Sequence, residues 1–356
     1  MTDRTCLPVM DWPSIDRELW QRARADSDLL EDGGLAEHWR PDTVRKVEKA
    51  YGRYLTFLVS TGSLSGATSP AERISRQLVA QYIGVLREQV ASKTLAGRII
   101  DLGEAIRVMS PGSDIEWLRR LGRRLSSQIT PVRNKHSRIV PIDQLFDLGV
   151  DLMERSKHDR GPRPSSASVQ FRDGLMIALL AARPFRLRTF WRLRVGRHLR
   201  RSGDGYLIQI WDEDAKTGRG DVYPLPQDLP PYVDDYLNRV RPLLLNGRDS
   251  DKLWISWAGD DLSECGIHDK IEERTKARFG HAINPHLFRD CAATSIAIED
   301  PEHVRIIKSI LGHTSLETSQ RFYNQGQSMS AQRDLNRAVL SRRKRHAAQS
   351  HRRAAR

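Results

Sequence analysis

Six side chains in this 356-residue chain have the types and spacing to do chemistry together. The stretch "HLFRD" carries His286 and Arg289, and "LGHTSLETSQRFY" carries His313 and Tyr323. "ARPFRLRTFW" and "DAKTGRG" add Arg186 and Lys216. A phenol loses its proton only near pH ~10, so a tyrosine is a poor nucleophile until neighbours remove that proton or stabilise the developing charge. If the electrophile is a phosphodiester, negative charge spreads over the non-bridging oxygens in the transition state. Guanidinium groups match that geometry bidentately and stay charged at any working pH. His286 and Arg289 are three residues apart, which places both on one helix face. Lys216 falls in a glycine-containing turn, where an ammonium could reach a leaving oxygen and protonate it as a general acid.

Each residue alone has a plainer account. Tyr323 beside Phe322 could be a core aromatic, His286 a helix-start residue, His313 a cap, and Lys216 ordinary turn chemistry. Their joint order is what points to a phosphate.

These side chains need elements to hold them. Apolar residues Val44, Val47, Tyr51, Tyr54, Leu55 and Leu58 recur at helical spacing, and Gly62 marks a stop. Similar patterns follow in "AERISRQLVAQYIGVLREQV", in "SKTLAGRIIDLGEAIRVMS" with Ser92 as N-cap, and in "SDIEWLRRLGRRLSSQ" with Ser113 as N-cap. Together they predict a helical domain over residues 41–128. Residues 1–40 hold Trp12, Trp20 and Trp39 and predict a helical arm packed by its tryptophans. The periodicity breaks in "ITPVRNKHSRIVP", a basic linker over residues 129–141. Beyond it, "IDQLFDLGVDLMERS" and "SASVQFRDGLMIALLAA" predict helices, and "YLIQIWD" and "DVYPLP" predict two strands around Lys216. "KLWISWAG" is compatible with a third strand. A buried helix ending at Pro184, followed by a short one with Phe190 and Trp191, would hold Arg186 rigidly at the junction. The expected fold class is mainly α with a small β-sheet or hairpin. Residues 142–327 form the second domain and 328–356 a basic tail with no core pattern.

Composition bounds the partner. A formal charge of +13 makes the chain a polycation suited to nucleic acid. Cys6, Cys265 and Cys291 sit far apart with no CxxC pair, so neither a disulfide framework nor a zinc finger is expected, and a reducing cytoplasm fits. No apolar run suggests export or a membrane span. "AKTGRG" lacks the GxxxxGK[ST] spacing of a phosphate loop, which argues against nucleotide hydrolysis.

The order Arg186, Lys216, His286–Arg289, His313, Tyr323 resembles the tyrosine recombinases, also called the phage integrase family. The likeness runs from about residue 40 onward. It implies a helical core-binding domain, a mixed α/β catalytic domain, and a reaction that needs neither metal nor cofactor. Tyr323 would attack a DNA phosphate and form a 3′-phosphotyrosine. Arg186 and Arg289 would clamp the phosphate, and His286 would act as base or proton shuttle. His313 would bond a non-bridging oxygen, and Lys216 would protonate the leaving 5′-oxygen. The implied partners are double-stranded DNA, further copies in a homo-tetramer on paired sites, and accessory or partner recombinase proteins. The implied task is integration or excision of a mobile element at the bacterial nucleoid.

Three positions depart from the family pattern: Thr189 stands for a glutamate, Asp290 for a histidine, and Tyr323 falls one residue late, with Phe322 in its usual place. One residue turns a helical side chain by about 100°. Tyr323 remains the expected nucleophile, since no other tyrosine follows His313. A type IB topoisomerase and a catalytically silent DNA-binding protein on the same fold are the alternatives.

Overall fold

The computed structural model describes residues 5–28, 32–130, 136–158, 164–215 and 220–299. The chain forms two compact units, residues 1–134 and 135–356. No described helix is long and apolar enough to cross a membrane.

The first unit is helical: α1 (Ser14–Ala23), α2 (Pro41–Ser60), α3 (Arg76–Gln89), α4 (Ser92–Met109) and α5 (Glu116–Ser127). Pro41 sits at the start of α2, where its missing N–H costs no helical hydrogen bond. The six apolar positions read from the sequence of α2 are all buried, packed with Ile99, Leu102 and Ile106 of α4. Ser75 caps α3, its Oγ accepting from the Leu78 amide at 3.1 Å. Ser92 and Ser113 do not cap. Ser92 lies inside α4 and its hydroxyl accepts from the Thr130 amide, while the residue flanking α5 is Ile115.

The N-terminal arm is built into this core. Trp12 packs edge-on against Tyr51 at 4.9 Å, and Trp20 donates to Glu48 at 3.0 Å. Beneath them Asp16 accepts from Arg73 at 2.5 Å and from the Tyr51 hydroxyl at 2.8 Å, all three side chains buried.

The second unit contains α6 (Ile142–His158), α7 (Pro164–Ala182), α8 (Leu187–Trp191), β1 (Leu199–Ser202), β2 (Gly205–Ile210), β3 (Asp221–Pro224), α9 (Pro230–Asp235), α10 (Arg241–Leu245), α11 (Glu264–Phe279) and α12 (Pro285–Glu299). Residues 171–181 of α7 are buried on all sides: the apolar run 174–181 demands it, and the charges of Arg172 and Asp173 are paired with each other at 2.6 Å. α6 lies close against α7 because Gly149 and Gly174 face each other. A Cβ on Gly174 would stand 2.6 Å from the Gly149 carbonyl.

The sheet is antiparallel in the order β1-β2-β3. Its third strand is β1, not "KLWISWAG". Residues 252–259 make only isolated bridges, Lys252 with Arg194 and Ile255 with Asp261. Trp254 is instead a core residue, its ring 4.9 Å from Phe190 and its indole N–H bonded to the Phe190 carbonyl.

Candidate active site

Arg186 is placed by the end of α7. Pro184 cannot continue the helix, and the chain runs extended through Arg186 (φ −66°, ψ 140°) directly into α8. α8 is fixed from below by buried Phe190 and by the Leu253 amide, which donates to the Leu193 carbonyl at 2.9 Å. The arginine therefore leaves a clamped backbone.

Arg289 is placed by α12. Asn284 holds the helix start, its Oδ1 accepting from the Leu287 amide at 2.9 Å, and Leu287 and Phe288 anchor the helix in the core. Arg289 is only 6% exposed, and its Nη1 donates to the Pro184 carbonyl at 2.5 Å. Burial and the neighbouring Arg186 charge push its pKa down to about 10, against the pull of Asp290 and Tyr223. Two guanidiniums, one buried and one half-buried, are thus held within electrostatic reach, an arrangement that a bound anion stabilises. His286 lies one turn earlier on α12 and is exposed. Of the six sequence-derived residues, the structure brings together Arg186 and Arg289, with His286 on the same helix. Lys216, His313 and Tyr323 lie outside the described residues, as does Phe322.

Asp290, noted in the sequence only as a departure, supplies a negative charge that favours the charged form of Arg289. Tyr223 on β3 was not singled out from the sequence at all. It enters the field of both arginines because "DVYPLP" folds back along β2 with Tyr223 opposite Ile208. The strand was legible, but its neighbour across the pocket depends on the tertiary fold.

The residues that flank Lys216 in sequence are held by hydrogen bonds. The Arg194 amide donates to His198 Nδ1 at 3.0 Å, so the ring proton sits on Nε2, 3.1 Å from Asp214 Oδ2. Arg197 also bonds Asp214, and Asp212 Oδ1 accepts from the Gly220 amide at 2.6 Å. Burial raises the Asp214 pKa, but the bonds from His198 and Arg197 prevail and it ends lowered. Arg194 also pairs with Asp251.

In the first unit an open groove of about 430 Å³ between α2 and α4 is lined by Arg45, Lys46, Lys49, Arg53 and Arg98, with Asp42 and Asp101. Burial, and then Arg53, lower the pKa of Arg98. Among the described residues no group of three or more His, Cys, Asp or Glu could hold a metal ion.

No protein-family model matches the chain. A tyrosine recombinase XerD of Neisseria meningitidis serogroup B is 33% identical over 107 residues, covering 29% of this chain and 36% of that protein. The XerD of Pseudomonas aeruginosa is 29% identical over 107 residues, covering 30% and 36%. The matched stretch thus spans little more than a third of these relatives. In fold, the chain is similar to the XerH site-specific recombinase, solved in a post-cleavage complex with a palindromic difH substrate. That likeness has a TM-score of 0.58 at 14% identity and covers 95% of this chain and 99% of that one. Over the matched stretch the chain is similar to curated tyrosine recombinases, and over nearly its whole length it shares the fold of the XerH chain.

Proposed function

We propose that the chain is a site-specific DNA recombinase that cuts and rejoins strands through a 3′-phosphotyrosine. The observation that carries this is the Arg186–Arg289 pair, in which burial and the Arg186 charge disfavour the charged form of Arg289, an arrangement that a bound anion stabilises. A DNA phosphate is the anion that a chain of charge +13 meets most readily.

In the proposed reaction the Tyr323 oxygen attacks the phosphorus, giving up its proton toward His286, while Arg186, Arg289 and His313 hold the non-bridging oxygens. The bond to the 5′-oxygen breaks, and Lys216 donates the proton that the leaving oxygen takes. Because the phosphotyrosine keeps the energy of the bond, a 5′-hydroxyl from a partner strand can reverse the step without ATP. The basic groove between α2 and α4 binds flanking phosphates and so orients the duplex. Strand exchange between two sites needs several active sites, and a homo-tetramer on paired DNA supplies them. Integration or excision of a mobile element at the nucleoid is the matching task.

Covalent trapping tests the proposal. Nicked duplexes from the flanks of the protein's own gene should yield an SDS-stable adduct without added metal, and Tyr323→Phe should yield none. Tight binding with no adduct would instead support a silent DNA-binding protein. Relaxation of supercoiled DNA by a monomer would support a topoisomerase.

A further inference from the structure

Resting on the proposed recombinase function, we propose that Tyr223 is an additional phosphate-contacting residue, its hydroxyl donating to a non-bridging oxygen of the DNA phosphate held by Arg186 and Arg289.

The geometry begins with residues 183–186. On one side Arg289 of α12 bonds the Pro184 carbonyl at 2.5 Å. On the other, Arg183 Nη2 donates to the Pro224 carbonyl of β3 at 2.7 Å, and the Phe185 ring meets the Tyr223 ring edge-on, with centroids 5.0 Å apart at 86°. The segment that presents Arg186 is therefore stitched to the strand that presents Tyr223. Along β3 the neighbours Asp221, Val222 and Pro224 are exposed, and Tyr223 alone is half-buried. Alternation along a strand puts Asp221 and Tyr223 on one face, where the carboxylate helps raise the pKa of the phenol.

The phenol feels both guanidiniums. Burial raises its pKa most and Asp221 raises it further, while Arg289 and Arg186 pull it down; the balance is a raised value. The hydroxyl thus keeps its proton at neutral pH and can donate it. In the free protein the phenol lies in the field of Asp221 as well as of the two arginines. An arriving phosphate offers a charged acceptor and repels that carboxylate, so the hydroxyl donates to the phosphate.

The test compares wild type with Tyr223→Phe, which keeps the ring and its contact with Phe185. Duplexes carry at the cleavage position either the natural phosphodiester or one diastereomer of a methylphosphonate, in which a methyl group replaces one non-bridging oxygen. On the phosphodiester the variant should form adduct about 10- to 100-fold more slowly, the size of one hydrogen bond to a charged group. On the methylphosphonate lacking the contacted oxygen, wild type and variant should react alike. Equal slowing on all three substrates would reveal a structural role only, and no slowing on any would remove the contact; either overturns the proposal. If wild type forms no adduct, the recombinase function fails and binding decides Tyr223. An affinity loss in Tyr223→Phe that disappears only on the diastereomer lacking the contacted oxygen supports the contact, and an equal affinity of wild type and variant on every duplex refutes it.

Discussion

Arg289 and Pro184 are 105 residues apart in sequence and joined by one hydrogen bond of 2.5 Å. Through it the exit of α7, which presents Arg186, and the first turn of α12, which presents His286, become a single pocket wall. The bond also fixes the Arg289 guanidinium beside a like charge. The fold tolerates this because the Asp290 carboxylate offsets part of the repulsion.

A bound anion should relieve that repulsion. The folded-state pKa of Arg289 is lowered, so its charged form costs stability in full below about pH 10, and the cost fades as pH rises toward the ordinary arginine range. Sulfate should therefore raise Tm above a chloride control of equal ionic strength, by about 2–4 °C for each kcal/mol of linkage. In Arg186→Gln the extra rise should vanish. An equal response in both proteins would mean that sulfate acts only through general solvent exclusion.

The contact between α6 and α7 should accept no added carbon. Gly174→Ala drives a Cβ against the Gly149 carbonyl, which is backbone and cannot rotate away, so it should destabilise by about 1–3 kcal/mol in urea unfolding. Adduct formation should fall as well, because α7 leads directly to Arg186. Gly84→Ala, on an exposed face of α3 with nothing within 4 Å, should instead be neutral or stabilise by about 0.4–1 kcal/mol.

In the first unit, Arg73→Ala leaves the buried Asp16 carboxylate without its cation and should cost about 3–5 kcal/mol. The double change Asp16→Asn with Arg73→Met should recover much of that loss. The near-ultraviolet signal of Trp12 and Trp20 reports whether the arm stays docked. If the two single changes prove additive, Asp16 and Arg73 are not coupled.

Asp214 gives a pH signature. Its folded-state pKa is lowered by the bonds from His198 and Arg197, so the stability it contributes is present above the ordinary carboxylate range and is lost as pH falls through the lowered value. Asp214→Asn should flatten this part of the acid limb in unfolding measured from pH 7 downward. It should also slow adduct formation, since the same bonds hold residues that flank Lys216 in sequence. An unchanged acid limb would remove Asp214 from the account.

Periodicity made the helices of both units legible, because a stripe such as Val44, Val47, Tyr51, Tyr54 and Leu55 has only one way to be buried. Strand β1 was not legible. Its sequence "LRRS" buries Leu199 alone and turns three polar residues outward, so it carries no alternation. "KLWISWAG" misled in the opposite sense, since its apolar residues serve a loop that plugs the core through Trp254. The docking of the N-terminal arm rests on Asp16 meeting Arg73, 57 residues away, a pairing no local pattern encodes. Arg186, His286 and Arg289 were legible from their order and spacing. Tyr223 was not, because its importance lies in what faces it across the pocket.

The most direct measurement is to trap the protein on a nicked duplex, digest the SDS-stable adduct and locate the nucleotide remnant by mass spectrometry. The account predicts a 3′-phosphate ester on Tyr323 and no adduct from Tyr323→Phe. An adduct that survives in Tyr323→Phe, or a remnant mapped to any other residue, would contradict it.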